Sequence, residues 1–379
     1  MNRVSQRDAM LDRMRGGAAL AVVLFHYFHK GPQEGWMLTQ PIAVLSDIAS
    51  YGYLGVHLFF MISGYVIMMT AQHSSLRLFA ASRVSRLVPA FWACALLTVL
   101  IEWSVASAPF HLESWPQWWA NMTLVPSWFG QPAIDGAYWS LASEINFYLW
   151  VALLIALGQL ARIETILLLW LGLSCVNALR PMYPLQLYLN VHWAPLFASG
   201  AFFFLVRQSG WTRLRRLAIG LGLVLACAYA WRENGSLGGW QDLLSLSHGR
   251  NHLAVMALVM AFFAAFLRLA HSSQVSAPTS GSEWMGRLTY PLYLIHQNAG
   301  YALFNAAVAL GWVAAIGRGW ISLGLIVLSL GLAWLVNVAI EQRCGPALRR
   351  LIAGQRRTAG GRHGGRAEAG GGPKVNSGA

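Results

Sequence analysis

Arg15 and His26 stand eleven residues apart in one largely apolar stretch. Eleven helical steps close three turns with about 20° to spare, which puts both side chains on one face, about 16 Å apart along the axis. A guanidinium at one end of such a stripe pairs with anions, and an imidazole at the other can take a proton. Asp12 and His29 flank the pair close to the same stripe. The arrangement suits a substrate that enters beside the arginine and reacts at the ring, so Arg15 and His26 are candidate catalytic residues and Asp12 a candidate for substrate binding. Plainer explanations exist for each alone: an arginine at a cytoplasmic helix end is ordinary, and a buried histidine can be a packing residue with one hydrogen-bond partner.

A second basic pair, Arg83 and Arg86, precedes Pro89. The i, i+3 spacing sets both guanidiniums on one side of a helix start. Their planar forks match phosphate, so a phosphorylated cytosolic ligand is a natural partner. Retention of a loop on the positive side of a membrane explains the pair equally well. Glu144 follows Trp139 and Ser140 in another apolar run, about 10 Å below its outer end if that run is helical. An unpaired carboxylate at that depth takes up a proton or finds a cation. His26 is the expected partner, and a Glu–His pair would fix the imidazole tautomer and raise its basicity. His296, behind Tyr290-Pro291-Leu292-Tyr293, completes the set, with Pro291 expected to kink or start a helix. Trp139, Ser140 and His296 join Arg83, Arg86 and Asp12 as candidate substrate-binding residues. Glu102, His192, His252 and Glu341 lie near the ends of apolar runs, where such side chains reach the interface. No GxSxG elbow, phosphate loop, dinucleotide fingerprint or HExxH occurs, so neither a serine or cysteine nucleophile nor a metal is indicated.

The elements that must hold these residues are membrane spans. Of the 379 residues 56% are hydrophobic and only 11% charged, whereas a soluble domain carries roughly 25% charged residues. The net charge of +13 would fit nucleic acid, but the basic residues sit between apolar runs long enough to cross a bilayer, which excludes that partner. Ten spans are expected, at roughly 14–30, 50–71, 87–107, 137–158, 163–179, 191–207, 215–231, 251–269, 288–311 and 319–340. With both termini cytoplasmic, 22 of the 27 Lys and Arg fall inside, leaving Lys30, Arg180, Arg232, Arg250 and Arg318 outside. That asymmetry supports an all-α polytopic bundle in this orientation. The basic N-terminus reads as leading into a retained span, since no small-residue cleavage site follows. The four cysteines are scattered and form no metal spacing. The outside segment 108–136, rich in tryptophan, fits an interfacial helix, an aromatic belt or the mouth of a substrate site. A membrane domain is expected over 1–345. Residues 346–379, dominated by Gly and Arg, are expected to be a disordered cytoplasmic tail able to rest on anionic lipid. Only Lys30 and Lys374 are lysines, an arginine bias typical of GC-rich bacterial genomes.

The strings resemble a known family. Leu11-Asp12-Arg13-Met14-Arg15-Gly16 followed by His26 looks like the opening of the acyltransferase-3 family of integral membrane acyltransferases, whose hallmark is an Arg and a His separated by ten residues. Gly55 to Tyr65, Arg83 with Arg86 and Pro89, Trp139-Ser140-Leu141 with Glu144 and Phe147-Tyr148, and Tyr290 to His296 resemble further blocks in family order. One departure is His57, where the family usually carries an acidic residue. Another is the absence of an appended extracytoplasmic hydrolase-like domain, so transfer would be completed in the membrane domain. The resemblance implies an O-acyltransferase of the bacterial cytoplasmic membrane. It would move an acyl group, acetyl by default, from acyl-CoA to a hydroxyl of a surface or exported polysaccharide or glycolipid, with acetyl-CoA as co-substrate and no bound cofactor. His26 would remove the hydroxyl proton, Glu144 would orient it, and the arginines would hold the coenzyme phosphates. A proton-coupled transporter or flippase of a sugar or lipid-linked sugar is the alternative from another class.

Overall fold

A membrane leaves no water for exposed backbone groups, so apolar runs close their hydrogen bonds as helices. The computed structural model describes residues 8–235, 251–272, 277 and 279–354, and within these there is no strand. In chain order the helices are α1 (Ala9–Phe25), α2 (Gly31–Gln33), α3 (Ala43–Ala49), α4 (Gly55–Ala71), α5 (Leu76–Ser104), α6 (Trp115–Met122), α7 (Tyr138–Ala156), α8 (Ile163–Leu179) and α9 (Tyr183–Leu189). They continue as α10 (Ala194–Ser209), α11 (Arg213–Gly235), α12 (His252–His271), α13 (Ser280–Ile295), α14 (Gln297–Ala309), α15 (Trp312–Ile316), α16 (Arg318–Val336) and α17 (Gln342–Ala353).

Eight helical runs among the described residues are long and apolar enough to cross a membrane, with mean hydropathy between 1.4 and 2.3. They match eight of the ten expected spans, and the protein is a polytopic helical bundle. The expected first and ninth spans correspond to helices interrupted at the histidines singled out above. In the first, α1 passes at His26–Lys30 into a π-helical turn before α2. Such turns are rare and concentrate at functional sites. In the ninth, α13 and α14 meet at His296.

Two runs form the centre. Ala43–Ala71 and Tyr183–Ser209 are 78% and 83% buried over their most apolar windows, against 22–44% for the other six. Here α4 and α10 approach so closely that a Cβ on Gly64 would lie 2.0 Å from the Phe197 carbonyl oxygen, and one on Gly200 2.0 Å from that of Met61. Small residues at such a crossing let backbones pack directly where lipid supplies no hydrophobic drive.

Several boundaries depart from the sequence reading, and two of them matter here. The third span begins at Leu76, not near 87, with Ser75 capping it by accepting from the Leu78 N–H. Its first three turns carry Arg77, Arg83 and Arg86, which hide them from a hydropathy window, while the helix itself runs through Pro89. Proline releases the carbonyl four residues back, that of Ser85, and Gly345 of α17 packs there, its Cβ position 3.1 Å from that oxygen. The second departure is the tail. Residues 346–353 are helical rather than disordered, because α17 lies along α5 and the Ile352 carbonyl accepts from Arg77 Nε (2.6 Å). The remainder of the expected tail, 355–379, lies outside the described residues, as do Arg3, Arg7 and Arg250.

Candidate active site

α1 packs against α4 and α13, while α7 packs against α4 and α5. Their inner surfaces enclose a narrow cleft of about 80 Å³. Arg15 from α1, Arg83 and Arg86 from α5 and Glu144 and Tyr148 from α7 line it. The wall continues through Ser63 of α4 to Ser140 of α7 and Tyr290 and Tyr293 of α13. Three guanidiniums against one carboxylate leave the lining net positive, an environment that concentrates anions.

The arginines are held individually. Arg15 is ion-paired with Asp12 one turn away (3.7 Å), and Asp12 is buried behind it, outside the cleft. Asp12 is thus a neighbour of Arg15 and does not itself line the cleft. Arg83 donates to Thr70 Oγ1 (3.3 Å) and Ser82 Oγ (3.0 Å) and lies over the Tyr148 ring at 5.9 Å. Arg86, one turn on, is exposed on the cleft.

Glu144 does not pair with His26. Ser63 and Tyr148 both donate to its Oε1, and it faces the cleft among the arginines. The expectation of a pair came from equal depth. Depth does not choose a neighbour, and α4 and α13 each pack on α1, so Glu144 on α7 finds partners on α4 and on its own helix instead.

His26 finds another partner. Its Nδ1 hydrogen-bonds the Tyr301 hydroxyl of α14 at 2.8 Å, and its ring meets that of His296 edge-on, centroids 5.1 Å apart. His296 Nδ1 lies 2.9 Å from the Tyr293 carbonyl oxygen and 3.2 Å from that of Leu292. Carbonyls only accept, so Nδ1 carries the proton and Nε2 holds a lone pair. That Nε2 is buried without a hydrogen-bond partner. Tyr27, one residue after His26, donates to the His296 carbonyl (2.7 Å) and ties the π-turn to the α13–α14 break. Gly300 makes room for it, since a Cβ there would stand 2.1 Å from the Tyr27 hydroxyl.

Neither histidine lines the cleft. Ser140 and Tyr293 are hydrogen-bonded at 2.6 Å at its upper end, and the Tyr293 ring lies 5.7 Å from that of His296. Tyr293 thus borders the arginine-walled cleft on one side and the His296 ring on the other. Trp139 points elsewhere. It is 43% exposed, lies 5.3 Å from Trp193, and lines a different cavity on the other side of α7.

Several contributors carried no signal in the sequence. Tyr301 is an ordinary aromatic residue of an apolar helix until packing brings it to His26, whereas Tyr148, one turn past Glu144, belongs to the string Trp139 to Tyr148 that the sequence itself singles out. Glu233 of α11 sits between two histidines, 3.3 Å from His57 Nε2 and 2.7 Å from His192 Nε2. It brings a carboxylate beside His57, the position where the family pattern has an acidic residue. Glu102 and His252 are buried within the bundle. Asn298 donates to Glu102 Oε1 at 3.1 Å, and the His252 ring lies 4.4 Å from that of Trp231.

Comparison with known proteins gives a consistent result. The profile of the acyltransferase-3 family, an acyltransferase domain, matches residues 8–338. The chain is 23% identical over 362 residues to the acyltransferase MdmB of Streptomyces mycarofaciens, covering 88% of this chain and 90% of that one. It is 28% identical over 191 residues to the peptidoglycan O-acetyltransferase OatA of Listeria monocytogenes, covering 44% of this chain and 28% of that protein. With the O-acetyltransferase OatA of Staphylococcus aureus it shares 29% over 166 residues, 38% of this chain and 24% of that one. The chain thus spans about a quarter of the length of the OatA proteins. No solved structure matches it.

Proposed function

The chain belongs to the acyltransferase-3 family, and from that premise we propose that it moves an acyl group, acetyl by default, from acyl-CoA to a carbohydrate hydroxyl. One observation carries the reading: a cleft walled by Arg15, Arg83 and Arg86 is also lined by Tyr293, whose ring lies 5.7 Å from that of His296 in a buried histidine pair. Coenzyme A brings phosphates on one end of a thin arm and a thioester on the other. The phosphates would lie against the guanidiniums, which bind such oxygens by charge-assisted, bidentate hydrogen bonds. The arm would rise past Glu144 and Ser140, displacing Tyr293 from its bond to Ser140.

The acceptor hydroxyl would approach the histidines from the outer side. As its oxygen attacks the thioester carbonyl, His26 takes its proton. The C–S bond then breaks, the ester forms, and the proton passes to the departing thiolate. The Tyr301 hydroxyl at Nδ1 holds the His26 ring in place, and the lone pair of His296 Nε2 lies beside that ring. Glu144 has a different role from the one its sequence position implied: it balances charge among the arginines and orients Tyr148 beneath Arg83. The acetyltransferase names of the OatA relatives, one of them a peptidoglycan enzyme, favour a polysaccharide acceptor.

The test is release of free CoA thiol from acetyl-CoA by the purified chain in nanodiscs, with and without bacterial glycan. Acceptor-dependent release, lost in His26→Ala, is expected. A transporter or flippase of sugars would release no thiol under any condition, and that outcome would replace this reading.

A further inference from the structure

Beyond the inner cleft the structure holds a second cavity, of about 260 Å³, between α7, α9 and the segment that follows α6. We infer that this cavity, lined by Asn146, Trp128 and Trp139 among others, is a subsite for an uncharged sugar ring of the acceptor. The inference rests on the acyl-transfer reading for what the sugar is used for, though not for its binding.

The lining specifies the ligand chemistry. Trp128 and Trp139 are 38% and 43% exposed and both line the cavity. An aromatic face carries negative charge density and suits the polarised C–H patch on one side of a pyranose ring. Between these indoles the wall is neutral and amide-rich, with Gln131, Asn146, Gln186 and Asn190 among its members. Amides offer both donors and acceptors, as vicinal hydroxyls require. No charged side chain lines the cavity, so a carboxylate or phosphate on the sugar would be desolvated without a counter-ion.

Asn146 adds an independent sign of a ligand. It is 3% exposed, its Nδ2 donates to the Leu187 carbonyl (2.8 Å), and its Oδ1 is buried with no hydrogen-bond partner. A buried acceptor left unpaired costs free energy, and a ligand hydroxyl would satisfy it.

The cavity also shares the first turn of α7 with the inner cleft. Tyr138 and Trp139 line it, whereas the next two residues of α7, Ser140 and Leu141, line the inner cleft. Tyr138 donates through its hydroxyl to the Leu294 carbonyl (3.1 Å), two residues before His296. The first turn of α7 therefore contributes to both spaces, and through Tyr138 it is tied to the end of α13 just before His296.

The experiment is saturation-transfer NMR on the full chain in nanodiscs, using cellotetraose, maltotetraose, chitotetraose and, as the charged probe, tetragalacturonate. Signal on at least one neutral oligosaccharide and none on the uronate is expected. Trp128→Ala and Gln131→Ala should each weaken it at least five-fold. The Gln131 side chain shows no hydrogen bond among the described residues, so its substitution breaks no internal bond and guards against a misfolded Trp128 variant. His26→Ala should bind as well as the unaltered chain. Absence of any neutral signal, equal binding of the uronate, or indifference to both cavity variants would overturn the assignment. Binding by a chain that releases no thiol from acetyl-CoA would leave the sugar site standing and remove the acyl-transfer reading instead.

Discussion

At the scale of single residues the proposal turns on which imidazole takes the proton and what holds it. Loss of a general base lowers turnover by roughly two to four orders of magnitude, and His26→Ala should fall in that range for thiol release while accumulating normally. Tyr301→Phe keeps the ring and removes the hydroxyl 2.8 Å from His26 Nδ1. It should slow turnover by about ten-fold and shift the pH–rate profile, with the KM for acetyl-CoA unchanged; an unaltered profile would deny Tyr301 its part. A different residue governs stability. Asp135, in the loop before α7, is fully buried and accepts from the N–H groups of Ala137 (2.8 Å) and Asn298 (2.9 Å). Burial outweighs those bonds and raises its pKa from 3.8 to about 7. The folded chain thus keeps this proton over an interval in which the unfolded chain has lost it, so stability falls as pH rises from about 4 to 7 and levels off above. Thermal unfolding in detergent across that range should show the decline, and Asp135→Asn should flatten it.

The elements place these residues by close backbone approach, and there the glycines make sharp predictions. Gly200→Ala forces a methyl against the Met61 carbonyl at 2.0 Å, between the two most buried helices. Overpacking of this kind costs about 1–3 kcal/mol or more, so the variant should accumulate poorly and melt early. Gly17→Ala meets nothing within 4 Å and should behave as the parent. Gly300→Ala is the functional counterpart. Its methyl would displace the Tyr27 hydroxyl that bonds the His296 carbonyl, and the expected result is a several-fold lower kcat at unchanged acetyl-CoA KM. A fall in KM-related affinity alone would show that the helix break does not set the histidine geometry.

Across the whole molecule, charge and depth define two sides. Arg83→Ala with Arg86→Ala should raise the KM for acetyl-CoA about ten-fold or more, and in the unaltered chain that KM should rise with ionic strength, as screened phosphate contacts do. Orientation is open to direct measurement. Cys344 is exposed on α17, and a membrane-impermeant maleimide should reach it only after cells are opened, whereas His111→Cys should label on intact cells. The reverse pattern would invert the molecule and put the arginine cleft on the wrong side for a cytosolic thioester.

Composition and the spacing of apolar runs were sufficient for a polytopic helical bundle, because a lipid solvent admits few alternatives and writes span length into the chain. Local motifs were also legible: Arg15, Arg83 and Arg86 line one cleft, and the strings ending at His26 and His296 bring two imidazoles together beyond it. What linear order could not supply was the choice of neighbours. Glu144 was matched to His26 by depth, yet its partners are Ser63 and Tyr148. Trp139 turned to an outer cavity while Ser140 beside it turned inward, and Glu233 reached His57 and His192 from a helix far along the chain. Helix rotation and crossing are set by packing of many side chains at once, so periodicity tells which residues share a face but not what that face meets.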